Sequence, residues 1–515
     1  MTATPTTTNS VKAAQSVPAA QPETQKSEIY AWWIYFVGYE PLSIVALQVL
    51  ISVILTKYSI AQSINPSKGN AQCQAGETCV LFMLGRLPVS PLSFTYFVSF
   101  ASIFCQAVVF VLLGALADYG SLRKKLLMGC TVVGSLVTMC FAGAYEPRLL
   151  WLAALLSVLI STVYGAALVF YNAYLPLLVN NHPSLSSANA NESTAVLEEK
   201  SSDKLPQSMS PTTVKLVSKD QLASSISTKG IIAGYSAALL LLILSALMIN
   251  FVPYKGMAAV AVAVTGLWWL VVGMGALHWF KERPGVPLPP NTFYLTASAR
   301  TILHALRHVQ GLPDTMRFLV AYLFISGGYG TIGYAAVTFA TKELGISEQG
   351  SLLAVIILLV SSMVGGFTFM FFQRLFKANS LSMTVFLILL ESAIPAYGMI
   401  GIFSSRMGLR NLWEAYVIAG YHGFLIGAIQ SFTRVSFSEL VPKGRESECF
   451  ALYAITERLG SSVGLLMMTV IDVFVKESRW CFVCLLVMLL APVPLLVRGV
   501  NFERGRRNAA ASAHQ

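Results

Sequence analysis

Charge is scarce in this chain. Of 515 residues only 11% are Asp, Glu, Lys or Arg, where soluble domains carry about 25%, and 55% are hydrophobic. With a mean hydropathy of +0.65, this composition excludes an ordinary water-soluble protein and points to a chain that lives in a bilayer. Other absences narrow the function. No phosphate-binding glycine loop, metal-ligand cluster or nucleophile elbow stands out, so ATP-driven pumping and membrane-embedded hydrolysis are weak readings, and no cofactor, metal or catalytic residue is expected. Residues 1–28 are rich in Thr, Ala, Pro and Gln and lack an early apolar run, so no cleavable signal peptide is expected. Cysteine is sparse as well. Cys105, Cys130, Cys140, Cys449, Cys481 and Cys484 fall in or beside apolar runs and read as packing residues. Cys73 and Cys79 share one polar loop, where a disulfide is compatible with an oxidising or lumenal compartment.

What is abundant is the long apolar run. Stretches able to span a bilayer recur about twelve times, near 29–56, 91–117, 126–144, 149–171, 230–252, 257–280, 316–340, 351–372, 381–403, 412–433, 449–474 and 478–498. The net charge of +11 reports topology rather than a nucleic-acid partner. Lys and Arg concentrate in the loops that share one side if both termini are cytoplasmic, most tellingly in the short loop with Arg123, Lys124 and Lys125. Residues 180–229 are rich in Ser, Thr, Asn and Lys and are expected to form a disordered cytoplasmic loop, in which the sequon Asn191-Glu192-Ser193 would go unglycosylated. Between 281 and 315, Ile302, Leu303, Leu306 and Val309 share one face of an amphipathic helix, with Arg300, His304, Arg307 and His308 elsewhere around it. The organisation expected is an all-α membrane protein. A disordered N-terminus (1–28) precedes a six-helix bundle (29–280), a cytoplasmic linker (281–315), a second six-helix bundle (316–498) and a cytoplasmic tail (499–515). No strong sequence repeat relates the halves, so this division rests on the number and spacing of the runs.

The scarce charges inside apolar runs carry the functional argument. Glu40 lies about 17 Å along its helix from Ile29, against a hydrocarbon core of about 30 Å, and so sits far from bulk water. A carboxylate at that depth faces a bundle interior, where it binds substrate, relays protons or pairs with another charge. Pro41 beside it frees the carbonyl of Val37 for a ligand or a neighbouring helix. Tyr171, Asn172, Tyr174 and Pro176 place amide and phenol groups at the end of the fourth run, where Asn172 is the better ligand candidate and the tyrosines serve equally well as interfacial anchors. Glu457 and Arg458 are neighbours on different helix faces, so each needs a partner on another helix. Glu40 and Glu391 are the candidates for Arg458. His422 and Glu414 are candidate proton carriers, with a satisfied packing histidine the favoured alternative, and Glu391 is placed in the substrate or proton pathway. Arg434, Glu439 and Lys443 read as an interfacial charge network.

Gly114, Asp118 and Gly120, followed by Arg123 and Lys124, resemble the loop between the second and third helices of the major facilitator superfamily. Glycines there permit a tight turn, and the aspartate caps a helix or pairs with a base in one conformational state. Together with Tyr39 to Pro41, Tyr171 to Pro176, Met316 to Gly333 and Arg434 to Arg458, most of the chain resembles the autophagy-related vacuole effluxer family, a branch of that superfamily. The resemblance implies a vacuolar membrane protein that exports amino acids, leucine among them, to the cytosol after autophagic breakdown. In that reading alternating access moves an amino acid past Glu40, Asn172 and Arg458, with carboxylate to Arg458 and ammonium to Glu40, and proton coupling through Glu40 stays equally open. A transporter of another small solute, a membrane scaffold and a lipid scramblase are the rival readings. The partners expected are a small-molecule substrate and the bilayer.

Overall fold

The computed structural model describes residues 21–65, 71–73, 80–83, 87–89, 91–113, 117, 120–184, 211–252, 254, 256–284, 312–343, 346, 348–404, 407–442, 445–474 and 479–512. Long helices dominate: α1 Lys26–Ala61, α2 Pro91–Leu113, α3 Leu122–Cys140, α4 Leu150–Asn180, α5 Pro211–Phe251, α6 Met257–Trp279, α7 Pro313–Glu343, α8 Glu348–Phe376, α9 Ser380–Phe403, α10 Leu412–Ser438, α11 Glu446–Phe474, α12 Trp480–Gly499 and a short α13 Phe502–Ser512. Among the described residues nine of these are long and apolar enough to cross a membrane: α1, α3, α4, α5, α6, α8, α9, α10 and α12. Helices α2, α7 and α11 are of similar length. Two small antiparallel hairpins, β1 Ile64–Asn65 with β2 Ala71–Gln72 and β3 Leu81–Met83 with β4 Leu87–Val89, fill the connection from α1 to α2.

Helix contacts sort by half. In the first, α1 packs on α5 and α6, α3 on α4 and α6, and α2 on α4; in the second, α7 packs on α11 and α12, α8 on α10, and α9 on α10 and α12. The halves meet where α5 lies against α8 and α10, and where α11 lies against α2 and α4. Lipid offers no hydrophobic drive for helix association, so close approach has to come from small residues. Gly423 of α10 and Gly460 of α11 supply it: a side chain at either would collide with the backbone of α8 near Leu358 or of α7 near Leu323.

Proline shapes α1. Pro41 carries no N–H, and the Val37 carbonyl it releases accepts instead from Trp268 Nε1 of α6 at 2.9 Å. A neighbouring helix, not a ligand, satisfies that carbonyl. The helix then widens into a π-helical stretch over Leu42–Leu50, as happens where the regular backbone ladder is interrupted.

Several boundaries differ from those expected. α1 starts at Lys26 because buried Glu28 accepts from Arg283 Nη2 and Nε at 2.7 and 2.9 Å, and Thr24 N donates to the Asn181 carbonyl, so residues 21–28 are tied down. α4 continues to Asn180, carrying Tyr171 to Pro176 inside the helix. Residues 211–229, expected in a disordered loop, form the first turns of α5; Ser224, Ser225 and Thr228 are buried against the second half instead of facing water. The tail forms α13, held when Arg504 pairs with Asp314 at 2.6 Å and Arg506 with Glu439 at 2.5 Å. The expected amphipathic helix, apart from Leu312, and the sequon at Asn191 lie outside the described residues.

Candidate functional site

Trp32, Tyr35, Phe36 and Tyr39 recur at helical spacing and so share one face of α1. That face meets α4. Trp32 stacks on Tyr171 with ring centroids 4.4 Å apart, and Tyr39 on Tyr164 at 4.2 Å, while Tyr35 and Phe36 flank Tyr171 at 5.5 and 5.3 Å. The next residue, Glu40, is buried toward α5, where Gly234 lies against its Cβ. The charges acting on Glu40 come from the opposite half: Arg434 of α10, then Glu457 and Arg458 of α11.

Arg434 is 7% exposed, and its guanidinium stands 5.7 Å from the centre of the Phe36 ring across the boundary between halves. Its Nη1 and the Tyr171 hydroxyl are buried with no hydrogen-bond partner among the described residues. Behind Arg434 the second half repeats the aromatic pattern. Tyr322 stacks on Tyr453 at 4.2 Å, the Tyr322 and Tyr329 hydroxyls share a hydrogen bond of 3.2 Å, and Tyr329 donates to Glu457 Oε1 at 3.5 Å. Tyr235 of α5 donates to Gln430 Oε1 of α10 at 2.8 Å, crossing between halves one helical turn from Arg434. Two carboxylates, two guanidinium side chains and a wall of ring faces thus converge between the halves.

Arg434 was expected in an interfacial network with Glu439 and Lys443. Glu439 does join such a network, with Arg506 and with Lys219 at 3.9 Å, and Lys443 lies outside the described residues; Arg434 instead turns inward to Phe36. A signal for this exists in the sequence: within its own helix Arg434 has Gln430 and Ser438 four residues away and no acid at that spacing. The choice left open for Arg458 also narrows, because Glu391 is engaged elsewhere. Its Oε1 lies 2.5 Å from His422 Nδ1, entirely within the second half, while its Oε2 is buried without a partner among the described residues. Glu414 is structural: it closes a capping box with Asn411 and accepts from Leu409 N at 2.7 Å and the Tyr397 hydroxyl at 3.0 Å.

Asn172 is buried on α4 with its Oδ1 unpartnered among the described residues. Tyr174, two residues further, does not join Glu40; its ring lies 5.9 Å from the Arg123 guanidinium and meets Phe280 edge-on. Arg123 donates to Ser447 Oγ at 3.1 Å and to Glu446 Oε2 at 3.4 Å, tying the start of α3 to the start of α11. Lys124 donates to the Phe280 carbonyl, and Gly120 turns the chain at φ +52°. Gly114 and Asp118 lie outside the described residues. A second tie joins α5 to α8 and α9: Asp220 Oδ2 accepts from Ser380 N at 2.8 Å and Gln373 Nε2 at 3.1 Å, Ser224 bonds Gln373 Oε1, and Arg374 donates to Ser225 at 3.0 Å. Thr228 and Ser431 continue this seam inward at 2.7 Å. Cys73 is disulfide-bonded, and its expected partner Cys79 lies outside the described residues.

Comparisons with known proteins agree with this architecture. The model of the family described as "Vacuole effluxer Atg22 like" matches residues 24–510. Autophagy-related protein 22 of Yarrowia lipolytica is 31% identical over 471 residues, covering 84% of this chain and 79% of its own. Autophagy-related protein 22-1 of Aspergillus fumigatus is 30% identical over 483 residues, covering 84% and 78%. Among solved structures, a proton:xylose symporter of the major facilitator superfamily superposes with a TM-score of 0.62 at 12% identity, covering 95% of this chain and 98% of that one. A transporter of the same superfamily in the outward conformation gives 0.57 at 10%, covering 92% and 99%. Such low identity speaks to fold alone. The chain belongs to the Atg22-like vacuole effluxer family and is a membrane transporter of the major facilitator fold, not an enzyme.

Proposed function

We propose that this protein is a secondary transporter of the vacuolar membrane that exports neutral amino acids, leucine among them, from the lumen to the cytosol after autophagic degradation. Twelve spanning helices, with α2, α7 and α11 completing the set, form two six-helix bundles that rock about the central site, and both termini are cytoplasmic. The observation that carries the reading is the Arg434 guanidinium of one half standing over the Phe36 ring of the other, one helical turn from the buried Glu40. A zwitterion fits that polarity: its carboxylate takes Arg434 Nη1, unpartnered among the described residues, its ammonium meets Glu40, and an apolar side chain lies on the rings of Phe36 and Tyr171. Charge-assisted bonds of this kind are strong because the site excludes competing water. Asn172 supports the same wall from α4.

The seams at Arg123–Glu446 and Asp220–Gln373–Ser380 act as the cytoplasmic gate, so this conformation is closed toward the cytosol. Binding draws the halves together at the lumenal side while the seams part. Counterflow of labelled leucine in proteoliposomes holding the purified chain tests the reading, with sugars, dipeptides and charged amino acids as competitors. Leucine and similar residues are expected to exchange and to compete. Exchange of sugars or peptides alone reassigns the substrate, and transbilayer movement of labelled lipid without solute flux identifies a scramblase instead.

A further inference from the structure

The pair formed by Glu391 and His422 stands apart from the central site, yet both groups are deep in apolar helices: Glu391 is fully buried and His422 6% exposed. Such groups are costly unless they do something a neutral pair would not. Three observations define what this pair offers. First, Glu391 Oε1 and His422 Nδ1 lie 2.5 Å apart, a separation that requires one shared proton. Second, Glu391 Oε2 is a buried acceptor with no partner among the described residues. Third, His422 Nε2 faces α7 at Gly333, close enough that a Cβ at that position would lie 4.0 Å from it.

Among the described residues Glu391 and His422 form no ion pair except with each other. α9 packs on α5, α10 and α12, and α10 packs also on α4, α7 and α8. On those helices Asp220 and Glu439 are held in the gate seam, Glu414 caps α10, Tyr235 is bonded to Gln430, and Arg434 points to Phe36. Arg479, at the start of α12, binds the carbonyls of Gly408 and Leu409. Tyr421 lies within electrostatic reach of Glu391, and its hydroxyl is committed to the Leu390 carbonyl at 2.9 Å. A line toward the centre does exist. From Gly333 it is one turn along α7, about 6 Å, to Tyr329, which donates to Glu457, and Glu457 acts on Glu40.

We propose that the Glu391–His422 pair is the proton-binding site that couples solute export to the pH gradient, which makes this protein a proton symporter with coupling and substrate sites on different helix faces. One proton from lumenal water binds His422 Nε2, giving an imidazolium against the Glu391 carboxylate; it leaves from the same nitrogen to cytosolic water after the halves rock, so the pair ends as it began. The inference rests on the transporter reading above, but not on which solute is carried.

The test uses the full chain in proteoliposomes loaded with a pH-sensitive dye, beside counterflow with equal leucine on both faces. The wild type is expected to move protons when leucine is added on one side. Glu391→Gln is expected to lose that proton movement by about tenfold or more while keeping counterflow within about twofold, since exchange needs no net proton release. His422→Gln must show the same split, and it decides the matter if Glu391→Gln does not fold. Persistent leucine-driven proton movement in either folded variant overturns the assignment. Infrared difference spectra of the wild type and Glu391→Gln, taken between about pH 5 and pH 8, give a readout without solute. A pH-dependent shift of a carboxylate band, as the imidazolium forms beside it, that is lost in Glu391→Gln upholds the site even if leucine proves to be the wrong substrate, and no difference between the two proteins refutes it.

Discussion

Glu391 and Glu40 are both carboxylates buried in apolar helices, but they are partnered in opposite ways. Glu391 is matched within its own half by His422, a helix neighbour that travels with it when the halves move. Glu40 looks across to Arg434, Glu457 and Arg458, which move relative to it. A pair inside one rigid half keeps its geometry through a transport cycle and suits the storage of a proton; a pair across the boundary is made and broken by the cycle and suits the sensing of a ligand. The buried acid is the same chemical group in both places. Its partner's address decides the role.

The sharpest way to break this contrast is to remove the cross-boundary cation. Arg434→Gln leaves Glu40 buried with less positive charge opposite it, and losing one member of a buried ionic arrangement costs about 3–5 kcal/mol. Leucine counterflow is expected to fall by roughly a hundredfold or more, with Arg434→Lys recovering little because an ammonium cannot offer the planar fork. Near-normal counterflow in Arg434→Gln, with the protein monodisperse, would remove the guanidinium from the mechanism.

Glu40→Gln comes next, with flux expected to drop about tenfold, equivalent to roughly 1.4 kcal/mol. It keeps the shape and removes the charge, so folding and targeting should survive. Combined with Arg434→Gln, the two losses are expected to be less than additive by about 0.5–3 kcal/mol, because groups that face each other through one ligand are coupled. Strict additivity would separate them. The same cycle between Glu40 and Glu391 should be close to additive, which tests the contrast from its other side.

A smaller effect is expected at the gate. Asp220→Asn weakens the bonds to Ser380 N and Gln373 Nε2, each worth about 1–3 kcal/mol with a charged acceptor. In a background without the free cysteines, thiol labelling of Thr228→Cys from the cytosolic side should accelerate by about tenfold when Asp220→Asn is added. Unchanged labelling would show that this seam does not hold the cytoplasmic end shut. Arg123→Ala should act in the same direction through the partner seam at Glu446 and Ser447.

Much of the architecture was legible because hydropathy is a one-dimensional signal: helix α10, expected at 412–433 and found at Leu412–Ser438, needed only the length of its apolar run. Glu40 was legible for the complementary reason, as an expensive residue in a cheap place. What escaped was pairing. Nothing in the order of residues says that Glu391 turns to His422 thirty-one positions away, and for Arg434 it says only that its own helix offers no acid at four-residue spacing, not that Phe36 receives it, since both contacts follow from how helices rotate against one another. The start of α5 was hidden for a different reason: Ser224, Thr228 and Asp220 have the composition of a solvated loop, and they are helical because the second half supplies their hydrogen-bond partners. The Val37 carbonyl shows the limit from the other side, where the vacancy was read correctly and its occupant, Trp268, came from a helix more than two hundred residues on.

Glu414 completes the comparison as a buried carboxylate that should do neither job. Like Glu391 it sits among apolar residues, 2% exposed, but its oxygens are consumed by the N–H groups of Leu409, Arg410 and Asn411, the Asn411 amide and the Tyr397 hydroxyl. The Asn411 N–H is the N-cap partner of a capping box and the other donors belong to the preceding loop, the Asn411 side chain and α9, so the charge is spent on fixing the helix start and has nothing left for a proton or a ligand. Glu414→Ala is therefore expected to lower stability by about 1–2 kcal/mol, a shift of a few degrees in thermal midpoint, while leucine counterflow and leucine-driven proton movement in the folded protein stay within about twofold of wild type. If proton movement instead fell with counterflow intact, as expected for Glu391→Gln, then burial with full hydrogen bonding would not suffice to tell a structural carboxylate from a coupling one, and the distinction between Glu391 and Glu40 would have to rest on something other than where their partners lie.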